Sequence, residues 1–119
     1  MITIDPSVPE PPYEQIRAQI VDQVDRGELQ PGDRLPTVRA LATELGIAAN
    51  TAARAYRELE QRGVIQTRGR AGTFVSGDRT DRAAKEAAAA YVDRVTTLGL
   101  TSHDALELVR RHLSGPGAG

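Results

Sequence analysis

At 119 residues the chain has room for one compact domain and a short appendage. It contains no cysteine and only four aromatics, Tyr13, Tyr56, Phe74 and Tyr91; disulfides, thiolate chemistry and Cys-ligated metals are excluded, and the core is too small to enclose a roomy catalytic pocket. The net charge of −1 is unevenly spread: residues 34–75 carry seven arginines against three glutamates, and residues 1–33 seven acidic against two basic groups, so an anionic partner is expected at the middle third.

The first fifteen residues hold no Lys, no Arg and no apolar run, so no secretory leader is expected. Residues 1–11 include Pro6, Pro9 and Pro11 and read as an extended lead-in, because proline fixes φ and lacks an N–H. Pro12 suits a first helical position. Tyr13, Ile16, Ile20 and Val24 then recur at spacings of three and four, which predicts an amphipathic helix over 12–26, closed by Gly27. Pro31-Gly32 is a turn pair. Arg34-Leu35 runs extended into Pro36, since the residue before a proline is pushed out of the helical region.

Thr37 is a good cap for a second helix with Val38, Leu41, Ala42 and Leu45 on its apolar face, stopped by Gly46. A third helix runs to about Arg62, with Ala52, Ala55, Tyr56 and Leu59 inside and Asn50, Thr51, Ala53, Arg54, Arg57 and Gln61 on the other face. Two short helices joined by a Gly-containing turn form a helix-turn-helix. Val64-Ile65-Gln66-Thr67 and Thr73-Phe74-Val75 flank Arg68-Gly69-Arg70-Ala71-Gly72, a β-hairpin with arginines at its tip.

Residues 77–82 read as a polar linker. Ala84, Ala88, Tyr91, Val95 and Leu98 then form a heptad-like seam, and Leu106, Val109 and Leu113 line a fifth helix capped by Thr101 or Ser102. The longest apolar stretch, 87–92, is six residues against the roughly 20 of a membrane span. No membrane association is expected, and the cytoplasm is the expected location. Residues 115–119 read as a frayed tail. The expected organisation is a lead-in at 1–11, a winged helix-turn-helix domain at 12–76, a linker at 77–82 and a two-helix dimerisation segment at 83–114, mainly helical and of the α+β class.

A reading helix in the major groove needs short polar side chains near its N-terminus and arginine further along. Asn50, Arg54 and Arg57 share one face of the third helix. Arg39 lies where the first helix of such a pair crosses phosphates, and Arg34, Thr37, Arg68, Arg70 and the amides of Gly69 and Gly72 are further candidates for backbone contact. Arg57 also stands within reach of Glu58, Glu60 and Gln61. No nucleophile–base pair, phosphate-cradling loop or metal cluster is present in the sequence, so neither enzyme activity nor a cofactor is expected.

The run Leu29-x-Pro31-Gly32-x-x-Leu35-Pro36-Thr37-x-Arg39-x-Leu41-Ala42-x-x-Leu45-Gly46, followed by Asn50-Thr51-x-x-Arg54-Ala55-Tyr56-x-x-Leu59-Glu60-x-x-Gly63 and Gly72-Thr73-Phe74-Val75, resembles the GntR family of bacterial transcriptional regulators. The short two-helix end looks like that of the YtrA-type subgroup, in which this segment makes the dimer. The resemblance implies a winged helix that binds operator DNA as a homodimer, usually as a repressor, with Arg39, Asn50, Thr51, Arg54 and the wing on DNA. Where the family has Ser or Asn as cap of the recognition helix, this chain has Ala48; Asn50 either takes over the cap or reads a base. The Arg70-Ala71-Gly72 wing departs from the family's Gly-x-Gly, leaving open which wing residue reaches the minor groove. Residues 83–113 have no room for a private effector pocket, so a small-molecule effector would need a pocket shared between subunits or domains. A winged helix used for protein interaction is the alternative reading.

Overall fold

The computed structural model describes residues 2–114; the expected tail at 115–119 lies outside the described residues. Five helices and three short strands follow in chain order: α1 (Pro12–Asp25), β1 (Arg34–Leu35), α2 (Val38–Leu45), α3 (Ala49–Gln61), β2 (Ile65–Thr67), β3 (Thr73–Val75), α4 (Arg79–Thr97) and α5 (Ser102–Leu113). The strands form an antiparallel sheet in the order β1-β3-β2, with Arg34 opposite Phe74 and Thr67 opposite Thr73. The hairpin is the expected wing. Arg34-Leu35 is extended, as expected; its pairing with β3 was not apparent in sequence, because two residues carry too little pattern to name a partner strand.

Ile16 and Ile20 of α1, Leu35, Leu41 and Ala42, the inner face of α3, and Val64, Ile65 and Val75 make one buried core. The apolar stripes of three helices and one face of the sheet meet there, as the helical and strand periods require. The lead-in is extended, as expected, and is also pinned to α1. Gln19 Oε1 accepts from the Thr3 N–H at 3.0 Å and its amide donates to the Thr3 carbonyl at 2.7 Å; Gln15 makes the same pair of bonds with Asp5. These side-chain amides satisfy an otherwise unpaired backbone, and Ile2 and Ile4 pack against the core.

The chain divides into two compact units, one running through Glu86 and the other beginning at Ala87. The stretch expected as linker, 77–82, is helical from Arg79. Asp78 Oδ1 accepts from the Asp81 N–H at 2.9 Å, which caps that first turn. In the second unit the C-terminal part of α4 packs on α5. Val95 is buried, and the Tyr91 hydroxyl donates to the Ala105 carbonyl at 2.8 Å. Thr101, not Ser102, caps α5 through the Asp104 N–H.

Candidate nucleic-acid interface

Helix α2 begins with Thr37 Oγ1 accepting from the Ala40 N–H at 3.0 Å, so Thr37 acts as the expected cap. Arg39 is exposed in the first turn that follows. The helix ends at Gly46, and one short connection later α3 starts. Its cap position is occupied by Ala48, which offers no side-chain bond. Asn50 does not take over the cap: it stands inside the first turn and is exposed. The uncapped end leaves first-turn N–H groups and the positive end of the helix dipole available to an anion.

The burial of Ala52, Ala55, Tyr56 and Leu59 fixes how α3 is turned. At 3.6 residues per turn, the opposite line carries Asn50, Arg57 and Gln61, with Arg54 at its edge. Thr51 and Ala53 are half-buried at the flanks. The acidic neighbours of Arg57 are engaged elsewhere. Glu58 pairs with Arg54 at 3.3 Å and Arg17 at 3.6 Å, and Glu60 accepts from the Thr67 hydroxyl at 2.6 Å. Arg57 is left exposed with no ion pair among the described residues. The Thr67–Glu60 bond also ties the wing strand to α3.

At the wing, Arg68 donates from Nη2 to Gln66 Oε1 at 3.3 Å and lies 5.1 Å from the Phe74 ring centroid. Gly69, Arg70 and Ala71 form a tight 3-10 turn, with Arg70 exposed at the tip. Gly72 has φ +114°, and a Cβ there would meet Arg34 Nε at 2.9 Å, so the Arg34 guanidinium lies against the end of the wing's tip turn. Arg34, Arg68 and Arg70 therefore belong to one strand-and-turn structure, while Arg39, Asn50 and Arg57 belong to the helix pair. The sequence reading missed Tyr13, which stacks under Arg54, and the Tyr56 hydroxyl. The Arg54/Glu58 spacing of four was a readable signal; the ring beneath Arg54 comes from α1 and was not.

Tyr56 joins the recognition helix to the start of α2, its hydroxyl donating to the Pro36 carbonyl at 2.6 Å. Burial pushes the phenol up to about 12. Below pH 10 the phenol is neutral in folded and unfolded chains alike. Between pH 10 and 12 the unfolded chain ionises first, so stability falls as pH rises through that window, by on the order of 2 kcal/mol. Tyr56→Phe leaves the Pro36 carbonyl without this partner; the expected loss at neutral pH is about 1–2 kcal/mol, with a shallower alkaline limb. Thermal unfolding of both proteins from pH 7 to 12 checks this, and identical alkaline limbs would contradict it.

Two packed short helices, an arginine-bearing outer face and a β-hairpin wing define a winged helix-turn-helix DNA-binding protein. Residues 12–75 match the family of bacterial regulatory proteins, gntR family, and the chain belongs to that family. It is 52% identical over 106 residues to the HTH-type transcriptional regulator Rv1152 of Mycobacterium tuberculosis, covering 88% of each chain. It is 49% identical over 77 residues to the HTH-type transcriptional repressor YtrA of Bacillus subtilis, covering 64% of this chain and 58% of that one. Among solved structures, YtrA from Sulfolobus acidocaldarius, a GntR-family transcription factor, superposes with a TM-score of 0.64 at 30% identity over 95% of this chain and 97% of that one. The protein is thus a DNA-binding transcriptional regulator and not an enzyme. Among the described residues no helix is long and apolar enough to cross a membrane.

Proposed function

We propose that the protein is a cytoplasmic repressor that binds a pseudo-palindromic operator as a homodimer. Helix α3 enters the major groove with Asn50 and Arg57 toward base edges, flanked by Thr51, Ala53 and Arg54. Arg34, Thr37, Arg39, Arg68, Arg70 and the amides of Gly69 and Gly72 lie on the backbone, the wing reaching toward the minor groove. The observation that carries this reading is the outer line of α3, where Asn50 and Arg57 stand exposed while the neighbouring glutamates are bonded elsewhere. A repressor's name on one relative supports the sign of regulation. Second copies of α4 and α5 supply the pairing, with two recognition helices about 34–36 Å apart on successive turns of DNA.

A salt titration of binding to the gene's own promoter tests the reading. With Arg34, Arg39, Arg68 and Arg70 on phosphates in each of two subunits, log K falls against log salt with a slope of about −7, near −0.9 per contact. A flat dependence would favour a winged helix that docks on protein.

A further inference from the structure

On the side of α3 that meets α1, four side chains from two helices form one network. The Arg54 guanidinium lies 3.7 Å over the centroid of the Tyr13 ring. Its Nε is 3.3 Å from Glu58 Oε2. The other carboxylate oxygen, Oε1, is 3.6 Å from Arg17 Nε, too long for a hydrogen bond, and that nitrogen is buried with no hydrogen-bond partner. One carboxylate thus serves two guanidiniums, and it satisfies neither fully. Arg17 and Glu58 are about a quarter exposed, while Arg54 is 54% exposed and opens to solvent.

We propose that Tyr13, Glu58 and Arg17 position Arg54 for a DNA phosphate, and that binding moves Glu58 from Arg54 to Arg17. The proposal rests on the docking of α3 described above. The Tyr13 face fixes the plane of the guanidinium and removes much of the rotamer freedom that a long side chain loses on binding. A phosphate that approaches Arg54 repels the Glu58 carboxylate, which is released toward Arg17. A closing movement of well under 1 Å brings Oε1 within hydrogen-bond reach of the buried Nε. Each guanidinium then has its own anion: Arg54 the phosphate, Arg17 the carboxylate. Arg54 offers five N–H donors in a planar fork suited to phosphate, and only Nε is used by Glu58 in the free protein. The residue singled out in sequence as a reader of DNA is therefore held ready by groups that never touch DNA.

A double-mutant cycle on the full chain tests this, with fluorescence anisotropy on promoter DNA and on a scrambled duplex. Tyr13→Leu and Arg54→Ala are each expected to weaken promoter binding about tenfold, and the double variant no further than Arg54→Ala alone. Tyr13→Phe keeps the ring and is expected to bind like the native protein, which separates the stacking role from loss of folding. On addition of promoter DNA the Arg17 Nε–H nitrogen and proton resonances are expected to shift downfield as the new bond forms, and not on addition of inorganic phosphate at equal ionic strength. Additive effects of Tyr13→Leu and Arg54→Ala, or an unmoved Arg17 resonance in the complex, overturn the proposal. If Arg54→Ala binds normally while Arg39→Ala and Arg57→Ala do not, this inference falls and the docking of α3 stands. If none of the three arginines matters, the docking itself falls.

Discussion

Replacing Leu98, Leu106 and Leu113 together by glutamate is expected to make the protein monomeric and to weaken promoter binding by at least two orders of magnitude. The three leucines are 59%, 63% and 68% exposed in the single chain. Single exposed leucines are ordinary, but this many on a two-helix appendage are not covered by the appendage itself. Full burial of a leucine stabilises by about 1.5–3 kcal/mol, so six such side chains, three from each subunit and each already part-buried, contribute on the order of 5–10 kcal/mol toward pairing before the cost of association. Glutamate at each position would have to bring an unpaired charge into that contact. The folded hairpin is spared, because Val95 and the Tyr91–Ala105 bond, which hold α4 against α5, are untouched. Val95→Glu would be a poor test for the same reason: it strikes inside the single chain. With pairing lost, the second half-site no longer binds at the high effective concentration that tethering provides, and avidity of 10²–10⁴ disappears. Sedimentation velocity and anisotropy on the same samples check both parts. A native protein monomeric at micromolar concentration, or a triple variant that remains dimeric, would contradict the model.

The helices of the DNA-binding unit were legible because each buries one stripe. Ile16 and Ile20, at the spacing that announced α1, are fully buried, and so are Ala52, Ala55 and Leu59 of α3. The hairpin was legible from β-branched residues around a glycine-bearing tip. Features held by polar side chains were not. Gln15 and Gln19 pin the lead-in by bonding backbone ten or more residues away, and no local period records that. The start of α4 at Arg79 is not marked by an apolar stripe, because residues 79–82 are all polar; the Asp78–Asp81 cap was the available signal. Tyr91, Val95 and Leu98 share one face of α4, as the spacing predicts, but Tyr91 and Val95 are covered within the single chain while Leu98, at the end of the helix, is exposed. At the candidate site, sequence named the arginines without separating them. Arg57 has three polar neighbours in sequence, and only the fold reveals that Glu58 and Glu60 are engaged by Arg17, Arg54 and Thr67.

Gly63→Ala is expected to destabilise the protein by about 2–4 kcal/mol, through two separable causes. Gly63 follows α3 with φ +73°, a left-handed conformation that costs a residue with a Cβ about 1 kcal/mol or more. Its second constraint is contact. A Cβ would stand 2.7 Å from Arg82 Cα, closer than real Cβ atoms sit, and 3.3 Å from Arg82 N, so the first turn of α4 must shift. That turn is held: Arg82 donates from Nη2 to Asp25 at 3.1 Å, at the end of α1, and from Nε to Glu86 at 3.3 Å. Forcing a methyl into such a packed contact costs a further 1–3 kcal/mol. For a domain of this size the sum lowers Tm by roughly 10–20 °C. Gly99→Ala is the control, since Gly99 has a similar φ of +82° but open space around it. It carries the conformational cost alone, about a quarter to a half of the total. Calorimetry on the two variants therefore isolates the contact, and equal losses would mean that α4 does not rest on the turn after α3. A larger loss for Gly63→Ala is the expected result, because the beginning of α4, through Glu86, belongs to the DNA-binding unit and rests on the turn at Gly63.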